Sequence, residues 1–121
     1  MGPLERDELA IAADSQGSDR VREFFARVRN GDAGVADLYA ADALLTYPGG
    51  GRIQGREAIR RFYEQTIATV HPQPQVEAIL EAPPFYVAIL DVSTTEGRRR
   101  VLDLFELDDG GIRRLEVFAQ S

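Results

Sequence analysis

The spacing of hydrophobic residues changes once along the chain. Up to about residue 70 the apolar positions recur every three or four residues, which is typical of amphipathic helices, and after that point they alternate as in strands. The clearest helix is predicted over Arg56–Val70, and Pro72 prevents it from continuing. Strands are predicted at about 75–81, 85–94, 98–107 and 111–120.

An earlier helix is predicted to begin after Ser18, a suitable N-cap residue, and to end at 30–32. A shorter helix and a brief strand at 43–47 follow it. Because the helices come first and the long strands last, we expect an α+β fold with a curved, mostly antiparallel sheet wrapped around three helices. Residues 1–17 are interpreted as a tail and residues 18–121 as a single domain. The apolar face of the early helix consists of Val21, Phe24, Phe25 and Val28.

The strand around residue 103 carries a carboxyl group among apolar side chains. Asp103 shares one face of this strand with Val101 and Phe105. Burial of a charged carboxylate is costly, so an inward-facing Asp103 should be protonated, paired or open to a cavity. The opposite face, with Leu102 and Leu104, is also apolar. The residues alone therefore allow either face to form the core.

Asp91 is a second candidate, and its orientation depends on the register of the hairpin. A two-residue turn at 96–97 would place it opposite Leu102, and a three-residue turn at 95–97 would place it opposite Val101. Only the second arrangement brings Asp91 to the face that carries the other carboxyl. We expect Asp91 to be partly exposed on the outer face.

Composition narrows the possible chemistry. The chain has no cysteine, and all 14 basic residues are arginine, which excludes thiolate, Schiff-base and lysine-base mechanisms. A single histidine, His71, cannot build a multi-histidine metal site. The net charge of −6 argues against a nucleic-acid surface. No apolar run is long enough to span a bilayer and no leader is recognisable, so we expect a cytoplasmic protein without a membrane partner.

Two further groups of polar residues invite a functional interpretation. Tyr47 ends a strand just before Pro48, where its hydroxyl could lie at the mouth of a pocket. The run Arg98-Arg99-Arg100 is most simply a solvated end of a strand. Together with Arg113 and Arg114 it could instead bind an anionic group, although nearby acids could equally pair with it.

From about Val21 to Gln120 the sequence resembles the ketosteroid isomerase and SnoaL-like branch of the nuclear transport factor two-like superfamily. The resemblance is carried by the motifs at 30–32, 38–43, 55–63 and 101–110. These motifs identify a cone-shaped α+β fold better than they identify a reaction. The resemblance implies an apolar pocket that is open at one end, and it implies that dimers are common.

Of the three catalytic positions of the steroid isomerases that can be compared, this sequence matches one. Asp103 falls where those enzymes keep a protonated aspartate that donates a hydrogen bond to a developing oxyanion. Tyr47 stands where they place the general base, and Phe24 stands where they place the oxyanion-hole tyrosine. A neutral tyrosine is a poor base, so the resemblance argues against conventional ketosteroid isomerisation.

Two other activities of the superfamily can be compared with the sequence. Asp91 and Glu116 are similar in position to the two acids of limonene epoxide hydrolase relatives, but Ile89 occupies the position of their arginine. SnoaL-like cyclases often rely on a single acidic residue, which this chain can supply.

We therefore expect a SnoaL-like or isomerase-like enzyme, an isomerase or a cyclase, that acts on an apolar carbonyl or polyketide-like substrate without metal or cofactor. Asp103 and Tyr47 are its predicted catalytic residues, with Asp91 and Glu116 as possible additions. The alternatives are a non-catalytic binding or dimerisation module of the same fold and an epoxide hydrolase-like enzyme. The predicted pocket wall consists of Phe24, Phe62, Tyr63, Leu90, Phe105 and Val117.

Overall fold

The computed structural model describes the backbone of residues 2–119 and the side chains of residues 16–119. Its helices are α1 (Gly2–Arg29), a short 3₁₀ helix (Ala33–Leu38) and α2 (Arg56–Val70). Its strands are β1 (Tyr39–Tyr47), β2 (Gly51–Gln54), β3 (Gln73–Ala82), β4 (Phe85–Thr94), β5 (Gly97–Asp108) and β6 (Gly111–Ala119). This order confirms the predicted α+β class.

All six strands belong to one open sheet, in the order β2-β1-β6-β5-β4-β3. Every neighbouring pair is antiparallel except β1 and β6, which run parallel. The sheet is therefore mixed, and its last strand along the chain lies in its interior rather than at an edge. The helices cover one face, so that a side chain on an interior strand points either at them or away from them.

Helix α1 is longer than the hydrophobic pattern indicates. Ser18 lies inside the helix rather than at its N-cap, and its hydroxyl donates a hydrogen bond to the carboxylate of Glu81 on β3. Gly17 is in close contact with β4, since a Cβ atom at this position would lie 2.0 Å from the Tyr86 hydroxyl oxygen. A segment that resembles a linker in sequence is thus a helical segment in close contact with the sheet. The tail boundary at residue 17 stays a prediction.

The core lies between the inner face of the sheet and the helices. Phe24 makes edge-to-face contacts with four rings, including Phe105 at 5.2 Å and Phe25 at 5.0 Å between ring centroids. Such contacts add to the stability gained by burial. They also show that the face of β5 that contains Val101, Asp103 and Phe105 is the inner one.

Two details of the sheet differ from the prediction. The short strand β2 lies between the predicted strand at 43–47 and the predicted helix Arg56–Val70, where the sequence predicts no element. The turn between β4 and β5 consists of Thr95 and Glu96, with Thr94 opposite Gly97. Gly97 has a φ of 130°, a backbone conformation that favours glycine, and its pairing with Thr94 makes it the first residue of the strand.

Candidate active site

An apolar cavity of about 500 Å³ lies between the inner face of the sheet and the two α-helices. Residues of α1, α2 and strands β1, β3, β4, β5 and β6 form its wall, together with residues of the connecting loops. A volume of this size accommodates a small organic molecule of several rings. The members of the wall that were predicted from the sequence are Phe24, Phe62, Tyr63, Leu90 and Val117.

Asp103 is the buried carboxyl group of the cavity wall. The residue is 5% exposed, and within the described part of the chain its Oδ1 atom has no hydrogen-bond partner. Burial raises the pKa of Asp103 from the ordinary aspartate value to about 7. Both protonation states are then populated near neutral pH, which is the condition a proton-transfer group requires.

Two buried tyrosines accompany this carboxyl group. The hydroxyl oxygens of Tyr39 and Tyr63 are 2.7 Å apart, and only Tyr63 lines the cavity. Burial raises the pKa of both tyrosines, and the charge of Asp103 raises each further, so both are neutral over the physiological range. If Tyr39 donates its hydrogen to Tyr63, the Tyr63 hydroxyl keeps its own hydrogen for a group inside the cavity.

The rim of the cavity is formed by those lining residues that are exposed, namely Tyr47, Pro48, Glu96 and Arg99. Tyr47 stacks on Phe62 with 5.4 Å between ring centroids. The structure thus places Tyr47 at the entrance, as the sequence predicts, while Asp103 lies at the buried part of the wall. Tyr47 is 38% exposed, whereas Asp103 is 5% exposed, so the two residues lie at different depths of the cavity.

One predicted wall residue lies elsewhere. Phe105 is 0% exposed and does not line the cavity, because the rings of Phe24 and Phe25 cover it. Its correct assignment is to the core beneath the cavity. The alternation that places Phe105 on the inner face does not reveal how deep the open space extends.

The two possible additional acids lie on the outer face of the sheet. Asp91 is opposite Arg100 and its carboxylate is 3.4 Å from Arg98, a register that neither proposed turn produces. Glu116 is opposite Leu104, and its carboxylate is 3.7 Å from Arg114. Neither acid reaches the cavity, so the pair of acids expected of an epoxide hydrolase is not brought together.

The arginine clusters are also separated. Arg98-Arg99-Arg100 begins β5, whereas Arg114 is opposite Glu106 near the end of that strand. A joint anion site of the two clusters is therefore excluded by the register. Arg99 belongs to the cavity rim, which sequence reasoning missed although it has the same parity as Asp103.

The missed lining residues come from every element around the cavity. The Tyr39–Tyr63 pair had no sequence signal, because it joins residues 24 positions apart. The further residues of the lining are Phe25, Val28, Leu45, Thr66, Val70, Pro72, Pro74, Val92, Thr94, Val101, Leu115 and Ala119.

The described residues form neither a metal site nor a membrane-spanning helix. Within the described residues no group of three or more histidine or acidic side chains is arranged to hold a metal ion. No helix in the same part of the chain is both long and apolar enough to cross a bilayer. The cytoplasmic location stays a prediction.

The fold, with helices over one face of a curved sheet and a pocket between them, is that of the nuclear transport factor two-like class. A proposed ketosteroid isomerase from Kribbella flavida superposes with a TM-score of 0.80 at 22% identity, covering 89% of this chain and 80% of that one. SalBIII, described as an epoxide hydrolase/cyclase-like enzyme of salinomycin pyran-ring formation, gives 0.79 at 18% identity and covers 88% and 92%. A proposed polyketide cyclase from Sinorhizobium meliloti gives 0.76 at 22% identity and covers 83% and 94%.

Within this class the sequence itself is specific enough to define a family. The sequence profile of the SnoaL-like domain matches residues 21–115. The protein therefore belongs to the SnoaL-like domain family, as the resemblance in its motifs implied. No curated protein matches the sequence.

Proposed function

We propose that the protein is an enzyme that moves a proton on an apolar carbonyl compound, an isomerase or cyclase in which Asp103 carries the proton. The observation that supports this most directly is the buried Asp103 carboxyl, with an unpartnered Oδ1 atom among the described residues, in the wall of an apolar cavity. The solved relatives described as an isomerase and as cyclases share the fold.

The chemistry requires one acid–base group and one hydrogen-bond donor. In the ionised state, Asp103 takes a proton from the carbon next to a carbonyl group, and it returns the proton to the same or another carbon. The Tyr63 hydroxyl donates a hydrogen bond to the carbonyl oxygen as negative charge develops there. The Tyr39 hydroxyl forms a hydrogen bond with the Tyr63 hydroxyl and so fixes its position. Tyr47 and Phe62 hold the apolar body of the substrate at the entrance.

Hydrogen exchange on a simple ketone tests the proposal. The wild-type protein should accelerate deuterium incorporation next to the carbonyl group of 2-tetralone in D₂O, followed by NMR. The rate should rise with pH through an apparent pKa near 7, because the ionised Asp103 is the base. Asp103→Asn should reduce the rate by about 100-fold or more, and Tyr63→Phe by roughly tenfold.

Asp91→Asn is the matched control, because it removes a carboxylate from the neighbouring strand on the opposite face. Its exchange rate should equal that of the wild type. If 2-tetralone binds without exchange, the protein is a ligand-binding module and the enzymatic proposal is wrong. Equal rates for the wild type and Asp103→Asn would contradict the role of this carboxyl group.

We also propose that the outer face of the sheet pairs with a second copy of the chain. Four large apolar residues are exposed there. The charged residues of β5 on the same face are paired, Arg98 with Asp91 and Arg100 with Glu77, so two copies can meet face to face without repulsion between like charges. Leu102→Glu should therefore halve the mass measured by light scattering, and Thr69→Glu on α2 should not. A monomeric wild type would contradict this proposal. The apolar residues are Leu80, Phe85, Leu102 and Phe118.

A further inference from the structure

The three arginines at the start of β5 are divided between the two faces of the sheet. Arg98 reaches Asp91 on the outer face at 3.4 Å, and Arg100 reaches Glu77 at 3.5 Å. Arg99 has the opposite orientation, as alternation along a strand requires, and lines the cavity. A run that appears uniform in sequence thus contributes one cation to the pocket.

Arg99 and Asp103 lie on the same face of the same strand, four residues apart. A strand rises about 3.3 Å per residue, so their Cα atoms are separated by about 13 Å. Val101 occupies the position between them and is part of the apolar wall. The cavity therefore has a polar group at its buried part, an apolar middle section and a cation at its rim.

The geometry points to Arg99 as the residue that selects substrates bearing an anionic group about 10 Å from the reacting carbonyl. This distance is less than the roughly 13 Å between the two Cα atoms, because both residues line the cavity and their side chains shorten the gap. This inference rests on the proposed function, because Asp103 fixes where the carbonyl group lies. A guanidinium group binds a carboxylate or phosphate through two parallel hydrogen bonds. An elongated apolar acid, with its carbonyl group deep and its anionic end at the rim, matches this arrangement.

Glu96 adds a negative charge to the same rim and should reduce its affinity for anions. It follows Thr94 and Thr95 at the turn, and its backbone N–H donates to the Thr94 hydroxyl at 3.0 Å. Glu96 lines the cavity together with Arg99, so an anion held by Arg99 would lie in the same part of the rim as a negative charge. Removal of this negative charge should strengthen anion binding, whereas removal of Arg99 should weaken it.

A pair of isosteric ligands tests the inference. The first is 3-(6-hydroxynaphthalen-2-yl)propanoate, whose hydroxyl oxygen and carboxylate are about as far apart as Asp103 and Arg99 require. The second is the corresponding primary amide, which has the same shape and no charge. Their dissociation constants are measured by naphthol fluorescence at pH 6 and low salt. Arg99→Gln should weaken binding of the carboxylate by three- to tenfold and change that of the amide by less than twofold.

The neighbouring arginines provide matched controls. Arg98→Gln and Arg100→Gln remove the same charge within one residue but on the outer face, and should leave both affinities within twofold. Glu96→Gln should strengthen binding of the carboxylate alone. At 0.5 M NaCl the preference of the wild type for the carboxylate should decrease, and it should be absent from Arg99→Gln at either salt concentration.

The outcomes separate the two levels of the proposal. If Arg99→Gln weakens both ligands equally, or weakens the carboxylate no more than Arg98→Gln does, the role of Arg99 is wrong. The role of Asp103 then still stands, provided that Asp103→Asn weakens both ligands. If neither ligand binds the wild type, or Asp103→Asn changes neither affinity, the proposed function fails and the inference fails with it.

Discussion

Asp91 and Asp103 occupy adjacent strands and face opposite sides of one sheet. Asp91 is partly exposed and meets Arg98 at 3.4 Å. Asp103 is 5% exposed, and its partners on the two neighbouring strands are the apolar residues Ala88 and Val117. The same side chain is therefore a surface charge on one face and a group poised between two protonation states on the other.

The difference arises from the surroundings and not from the residue type. An exposed ion pair is worth little, because water already solvates both charges. A carboxylate in an apolar wall has lost that solvation, so protonation becomes favourable at a much higher pH. Burial of this kind therefore reduces the stability of the charged state and raises the pKa of the carboxyl group.

The largest expected effect contrasts the two faces by removal of one aromatic ring from each. Phe105→Ala, in the core, should lower the free energy of unfolding by about 3–5 kcal/mol, because it leaves a cavity beneath Phe24 and Phe25. Phe118→Ala, on the outer face, should cost less than about 1 kcal/mol in the monomer. Urea unfolding of both variants in a Leu102→Glu background provides the comparison, and equal losses would contradict the assignment of the faces.

The next effect concerns the pH dependence of stability. The folded-state pKa of Asp103, about 7, lies above the value of an unfolded aspartate, so the folded state binds the proton more tightly. This contribution is fully present below about pH 4 and is lost as the pH rises to about 7, by roughly 3–4 kcal/mol in all. The free energies of unfolding of the wild type and of Asp103→Asn are measured with urea between pH 4 and pH 8. Their difference at each pH gives the contribution of Asp103.

The same subtraction with Asp91→Asn is the control for the outer face. Its pairing with Arg98 is exposed, so the difference should stay within about 1 kcal/mol across the range. A flat Asp103 difference, or one that grows with pH, would show that this carboxyl group is solvated in the folded protein.

The smallest effect concerns the tyrosine pair behind Asp103. Tyr63→Phe removes the described partner of the buried Tyr39 hydroxyl and should cost about 1–2 kcal/mol. Tyr39→Phe should cost less, because the Tyr63 hydroxyl still faces the cavity. The double variant should be more stable than the sum of the two losses predicts, which thermal unfolding can measure. Strict additivity would contradict the coupling between these hydroxyl groups.

Much of the fold was predictable because its elements carry strong local patterns. The limits of α2 and β4 coincide with those predicted, since proline, glycine and the change of period mark them. Prediction failed where contacts between distant segments decide the structure. Gly17 resembles a linker residue until Tyr86 packs against it, and the four residues of β2 have no pattern of their own.

The candidate site was predictable only along single strands. Once Asp103 faces inward, alternation requires Arg99 to do the same, and this inference was available from the sequence. The position of Asp91 depended on a turn whose register differs from the two proposed alternatives by two residues and by one residue. The depth of the cavity, which excludes Phe105 from its wall, depends on how α1 packs and has no signal in any one segment.

The interior position of β6 has a consequence for biosynthesis. Because Gly111–Ala119 inserts between β1 and β5, the sheet consists of two unjoined halves until this stretch has left the ribosome. Until then β3, β4 and β5 can pair only as a meander, and β1 and β2 only as a separate hairpin. Each of these two units has an unpaired edge. Completion of the pocket therefore coincides with the arrival of the last strand, and a nascent chain stalled before it would be a natural client for chaperones.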